Sequence, residues 1–257
     1  MTTPLVEPAE TETAATRPHA AWHVATVTES VAETPTARRV TIDVPTWPGN
    51  DAGSHLDVRL TAPDGYQVQR SYSIASAGAG TRVVLAVDEV PDGEVSPFLV
   101  NDLRAGDQLE VHGPLGAYFV WRPPADGDPA PLPVQLIAGG SGVVPLYAML
   151  SAHAAAGDPT EFRLLYSVRT QADVFFHAEL DAAMSVDYVF TRETPDAWPT
   201  PAGRLTKAAL QVAILPPERS PRIYVCGPTP FVEAVADWLL ELGHPAASIR
   251  TERFGGS

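Results

Sequence analysis

Between residues 21 and 122 polar and apolar positions alternate in short runs. Trp22-His23-Val24-Ala25-Thr26-Val27, Arg39-Val40-Thr41-Ile42-Asp43-Val44 and Leu56-Asp57-Val58-Arg59-Leu60 change character almost residue by residue, while Arg82-Val83-Val84-Leu85-Ala86-Val87 is apolar nearly throughout. A period of two belongs to strands with one face in a core. Pro45, Pro48-Gly49 and Pro63-Asp64-Gly65 separate the runs as turns. Gln67-Val68-Gln69 and Gln108-Leu109-Glu110-Val111 extend the series, and strands at this spacing predict a small antiparallel β-barrel. One helical signal interrupts it. Ser96 is a natural N-cap and Pro97 a natural first helical residue, which predicts a short helix to about Leu103.

Residues 123–133 hold Pro123, Pro124, Pro129, Pro131 and Pro133, and there the pattern changes. Apolar strand runs at 134–138, 162–166, 188–190, 222–226 and 248–251 alternate with helical runs at 143–155, 173–183, 206–214 and 230–242. The last has Thr229 as a cap, Pro230 as a start and Gly243 as a stop. Five buried strands with helices between them predict a parallel sheet covered on both faces. The expected fold is therefore two-domain, β + α/β: a disordered leader at 1–20, a small antiparallel barrel at 21–122, a Pro-rich linker at 123–133, and a five-stranded parallel α/β domain at 134–257.

The leader, with Glu7, Glu10 and Glu12 and no apolar stretch, does not read as a secretory signal, so a cytoplasmic location is expected. No apolar run has the length of a membrane-spanning helix. Seventeen Lys and Arg against 31 Asp and Glu give a net charge of −14, which disfavours nucleic acid and anionic membranes as partners. Cys226 is the one cysteine. It excludes an internal disulfide and a four-cysteine iron–sulfur cluster, so electrons leaving this chain would go to a separate molecule. His55 and His112 have no partner at ligand spacing, and no metal site is expected.

Candidate chemistry gathers at three places. In Arg70-Ser71-Tyr72-Ser73, extended backbone would put Arg70 and Tyr72 on one face, a cation for a phosphate beside a ring for stacking, with Ser73 opposite unless the chain bends. The Gly93-Glu94-Val95-Ser96 turn leads into free helical amides, an anion site. In the second half, ligands to a parallel sheet bind beyond the carboxyl ends of its strands. There lie Gly139-Gly140-Ser141-Gly142, Ser167-Val168-Arg169, Thr191-Arg192, Cys226-Gly227-Pro228-Thr229 and Glu252-Arg253-Phe254.

Taken together these motifs resemble, in order and over nearly all of 21–254, the ferredoxin–NADP reductase family, here without a fused iron–sulfur domain. Arg70-Ser71-Tyr72-Ser73 is similar to the family's Arg-x-Tyr-Ser flavin motif, Gly93 to Ser96 to its Gly-x-x-Ser turn, Ala138 to Pro145 to its Ala-Gly-Gly-x-Gly-x-x-Pro nucleotide motif, and Tyr224 to Pro228 to its second nicotinamide-side motif. The resemblance implies an NAD(P)H-dependent FAD oxidoreductase. Arg70 and the Gly93, Val95 and Ser96 turn would hold the FAD pyrophosphate, and Tyr72 would pack on the isoalloxazine. Ser73 would sit near flavin N5, with Cys226 and Glu252 around the nicotinamide, and Glu252 relaying protons to Ser73. Gly140, Gly142, Gly227 and Pro228 would hold the dinucleotide. Arg169, Arg192 and Arg204 stand where relatives using NADPH carry the 2′-phosphate, so NADPH is expected over NADH. Phe254 falls where plant relatives place an aromatic ring against the flavin. The implied acceptor is a separate ferredoxin, flavodoxin or oxygenase. A reductase of free flavin or ferric chelates, and a non-catalytic flavin-binding electron-transfer subunit, are the alternatives.

Overall fold

The computed structural model describes residues 20–125, 131–184 and 186–255. Apart from Ala20, the expected leader lies outside the described residues, as does 126–130 of the Pro-rich linker.

The period-two runs become β1 (Ala21–Thr34), β2 (Ala37–Asp43), β3 (His55–Thr61), β4 (Gln67–Ser73), β5 (Arg82–Asp88) and β6 (Gln108–Leu115). They pair antiparallel in the order β4-β3-β6-β1-β2-β5. A bridge between Ile74 and Leu85 and a 2.7 Å bond from the Ala75 amide to the Val84 carbonyl bring the outer strands together, curling the sheet into a barrel. Alternate side chains, among them Val27, Ile42, Leu56, Val58, Leu85 and Val111, fill its interior.

The second half is a five-stranded parallel sheet in the order β11-β10-β7-β8-β9. Its strands are β7 (Val134–Gly139), β8 (Phe162–Val168), β9 (Val186–Phe190), β10 (Arg222–Pro228) and β11 (Ile249–Phe254). Helices α1 (Val143–Ala156) and α2 (His177–Ala183) contribute to the core on one face, and α3 (Lys207–Ala213) and α4 (Thr229–Glu241) to the core on the other. All of β7 is buried, which is why its sequence is apolar without alternation.

One apolar cluster runs through both halves. Ala52, Ala75, Val84 and Ala86 of the barrel share it with Leu136, Val144, Ala148 and Met149 of β7 and α1. Gly53 lets α1 come this close: a Cβ there would stand 2.6 Å from the Met149 methyl and 2.1 Å from the Phe119 carbonyl oxygen. The Tyr224 hydroxyl donates to the Val120 carbonyl at 3.0 Å, adding a polar tie.

Local expectations fail at three points. Ser96 does not cap its helix: its hydroxyl accepts from the Val90 amide at 3.0 Å, folding the preceding turn, and the helix becomes a π-helical turn at Phe98–Asp102. Thr229 is not a cap either. Pro228 holds that position, Thr229 is already helical, and its hydroxyl donates to the Gly255 carbonyl at 3.3 Å. The helix expected over 173–183 begins only at His177, because Phe176 takes a left-handed conformation, φ 54°. Among the described residues, no helix is long and apolar enough to cross a membrane.

Candidate functional site

Two adjoining cavities open where the barrel meets the carboxyl edge of the parallel sheet, and both are lined by Asp88, Ser141 and Phe254. The larger, about 420 Å³, is walled by Arg70, Ser71, Tyr72 and Ser73 of β4 and by the turn Gly93 to Ser96. The smaller, about 250 Å³, lies over Gly139 to Ser141, Ser167 to Arg169 and Thr191. The ends of β7, β8 and β9 thus feed one cavity and the barrel's edge strand feeds the other.

The two halves are joined here by a contact between residues 179 positions apart: Ser73 Oγ, on the wall of the larger cavity, donates to Glu252 Oε1 of β11 at 3.2 Å. Glu252 stands beside Cys226 in the parallel register of β10 and β11. Burial lifts the Glu252 carboxyl to about 7, against which the Ser73 bond acts. The Cys226 thiol, almost wholly enclosed, is pushed well above its ordinary range by burial first and by the Glu252 charge second. Such a shift favours the protonated thiol, which is a poor nucleophile. The Tyr72 phenol is raised to about 12 by burial, opposed by the Arg70 charge. Arg70 is more than half exposed, with its guanidinium 3.7 Å from Glu94.

The glycine turn divides its work. Gly142 and Gly227 pack strand against turn: a Cβ on Gly142 would lie 2.3 Å from the Cys226 carbonyl oxygen, and one on Gly227 would lie 2.9 Å from the Phe231 ring. Gly140 differs. Its φ is +55° and nothing lies within 4 Å of where its Cβ would stand, so its backbone faces open space at the start of α1. That suits an anion approaching amides at a helix start.

Of the arginines expected together, Arg169 lines the smaller cavity and Arg192 donates its amide to the Arg169 carbonyl at 3.0 Å. Arg204 does not line it. It sits on a separate groove beside Tyr188 and Trp198, where the Gly203 amide is tied back to the Phe190 carbonyl of β9 at 2.9 Å. Pro228 and Phe254 line the smaller cavity, and Phe254, 40% exposed, also borders the larger. Sequence reasoning missed the barrel-side wall, Thr34, Thr36 and Asp88. Thr36 donates to Asp88 at 2.8 Å, and burial raises the Asp88 carboxyl. The only sequence signal there was an Asp closing an apolar strand. Among the described residues no group of three His, Cys, Asp or Glu side chains gathers to hold a metal ion.

The family model "Oxidoreductase FAD-binding domain" matches residues 26–120, and the model "Oxidoreductase NAD-binding domain" matches residues 136–237. The chain belongs to the ferredoxin–NADP reductase-like family. It is similar to the glycine betaine monooxygenase reductase subunit of Chromohalobacter salexigens, 32% identical over 203 residues, covering 76% of this chain and 53% of that protein. It therefore spans about half the length of that relative. It is 27% identical to NADH-cytochrome b5 reductase 1 of Kluyveromyces lactis over 208 residues, 77% of this chain and 71% of the other. A solved cytochrome P450 reductase of Amycolatopsis superposes with a TM-score of 0.75 at 28% identity, covering 91% of this chain and 70% of that one.

The cofactors of this ferredoxin–NADP reductase-like chain are thus FAD and a pyridine nucleotide. The donors present suit them. A guanidinium and a half-buried tyrosine line the larger cavity, and open backbone at a helix start with a second arginine lines the smaller.

Proposed function

We propose that this chain is a flavin-dependent reductase acting in the cytoplasm. It takes reducing equivalents from NADPH and passes electrons to a separate acceptor, an oxygenase component, ferredoxin or flavodoxin. Its organisation is a FAD-binding barrel at 21–122, a linker at 123–133 and a nucleotide-binding domain at 134–257. The observation that carries this reading is the Ser73–Glu252 hydrogen bond, which joins the wall of the larger cavity to the last strand of the α/β half.

FAD, when bound, supplies the step from two-electron to one-electron chemistry. Arg70 and the Gly93, Val95 and Ser96 turn bind its phosphates, and Tyr72 packs against its ring. Gly140 opens the backbone for the nucleotide phosphates, Gly142 and Gly227 set the strand-to-turn packing, and Arg169 with Arg192 supplies positive charge. Pro228 and Phe254 would border the nucleotide, Phe254 from the boundary between the two cavities. Cys226, buried at the end of β10, lies directly against Gly142 and supports the glycine turn from behind. Glu252 holds a proton near neutrality and Ser73 Oγ stands in line to move it, while the walls exclude water and set the approach of the reactants. The oxygenase acceptor draws support from the monooxygenase reductase subunit that the chain resembles.

NADH is a second reading, favoured by Asp88 and Asp173 on the same cavity as Arg169 and by the similarity to an NADH-cytochrome b5 reductase. Steady-state turnover with an artificial acceptor separates the two. The account predicts a kcat/KM for NADPH about tenfold or more above that for NADH, and that Arg192→Ala narrows the gap. Equal values for both nucleotides, unchanged in the variant, would remove the arginines from selection. A free-flavin reductase would lose its FAD on gel filtration and turn over added riboflavin; the proposed enzyme keeps its flavin.

A further inference from the structure

A buried carboxylate ties the two halves together beside the nucleotide cavity. The Glu33 side chain, near the end of β1, is 4% exposed. One oxygen accepts from Arg39 Nε at 2.6 Å and the other from the Phe176 amide at 2.5 Å. Arg39 Nη1 continues to Glu179 of α2 at 2.5 Å, and its guanidinium lies 4.8 Å from the centre of the Phe176 ring. That ring stacks on Tyr147 of α1 at 3.8 Å, within 7° of parallel. Glu33 and Arg39 belong to the barrel; Phe176, Glu179 and Tyr147 belong to the α/β half.

The left-handed backbone of Phe176 is uncommon for an aromatic residue and persists only when its surroundings hold it. Here both its amide and its ring are engaged across the interface. Burying a carboxylate is costly even when it is paired, and apolar contacts already join the halves. The link therefore adds geometry more than adhesion.

What it fixes is visible on either side. Thr34 and Thr36, flanking the tip of the β1–β2 hairpin, form the barrel-side wall of the smaller cavity. Asp173 and Phe175, just ahead of Phe176, form part of the opposite wall. Both walls hang from the Glu33 carboxylate within a few residues. We propose that Glu33 is a positioning residue for the pyridine nucleotide: through Arg39 and the Phe176 amide it fixes the gap between the hairpin and the loop before α2. The nucleotide then enters a cleft already at its working width, which lowers the ordering cost of binding. This inference rests on the smaller cavity being the nucleotide site.

The test is calorimetric titration of the FAD-loaded protein with oxidised NADP and NAD, with flavin affinity and limiting flavin-reduction rate measured alongside. For Glu33→Ala the expected result is nucleotide binding weakened about tenfold or more, with flavin affinity and limiting rate within about twofold of wild type. Glu33→Gln keeps an acceptor for the Phe176 amide and restores binding to within about threefold of wild type. Should Glu33→Ala fail to fold, Glu179→Gln decides: Glu179 is 39% exposed, and losing its charge loosens Arg39 without stranding a buried group. It is expected to weaken nucleotide binding about threefold. A folded Glu33→Ala with nucleotide affinity within about twofold of wild type overturns the proposal, as does an unchanged Glu179→Gln where Glu33→Ala does not fold. A wild-type protein that binds FAD but neither nucleotide would instead refute the reading of the cavity.

Discussion

Ser73 and Glu252 come from opposite halves of the chain and meet at 3.2 Å, and burial holds the Glu252 carboxyl at about 7. Because the folded value is raised, the favourable contribution of this group is complete below its unfolded value near 4.5 and is lost as pH climbs through about 7. Glu252→Gln should therefore raise stability at about pH 8, by up to roughly 3 kcal/mol, and leave it little changed at about pH 4. Denaturant melts at the two pH values check this. The same substitution should erase an inflection near neutral pH in the rate of flavin reduction, since the amide does not ionise in that range. Ser73→Ala should slow flavin reduction about tenfold or more while flavin affinity stays within about threefold. A variant that reduces at the wild-type rate would remove Ser73 from the chemistry.

At the scale of elements, the glycine turn after β7 carries two separable demands. Gly142→Ala forces a Cβ onto the backbone of Cys226 and Gly227, which cannot step aside, and should cost roughly 1–3 kcal/mol or more in a thermal melt. Gly140→Ala meets no neighbour and pays only for its left-handed backbone, about 1–2 kcal/mol, yet it should weaken nucleotide binding by crowding the open amides. Strands and helices were largely legible in the sequence, because alternation, proline clusters and the apolar β7 run are local consequences of burial. What escaped was set by distant partners. The Ser96 hydroxyl turned back to Val90, and Thr229 turned to Gly255, neither of which a local capping rule sees. Glu33 was hidden for another reason. The pairing of β1 with β2 shifts register after Val27, so alternation breaks there and the strand read as ending seven residues early. Ser73 and Glu252 stood in stretches singled out from the sequence, whereas Thr34 and Thr36 of the β1–β2 hairpin meet Asp88 only in the folded chain.

For the molecule as a whole, the shared core between barrel and sheet matters most. Barrel alanines and α1 side chains lie in one buried cluster, so the cleft between the halves is part of the fold. The net charge of −14 bears on the acceptor. Electron transfer to a basic acceptor such as ferricytochrome c should slow as salt rises, and transfer to a strongly acidic ferredoxin should quicken, because screening removes attraction in one case and repulsion in the other. An initial-rate series across ionic strength reads both. The central claim is that this cleft brings a reduced nicotinamide and a flavin together. Its most direct test is anaerobic stopped-flow mixing of FAD-loaded protein with NADPH and, separately, NADH. The account predicts rapid first-order bleaching of the flavin absorbance with at least one of them, faster with NADPH. A protein that holds FAD yet keeps its colour with both nucleotides would contradict it.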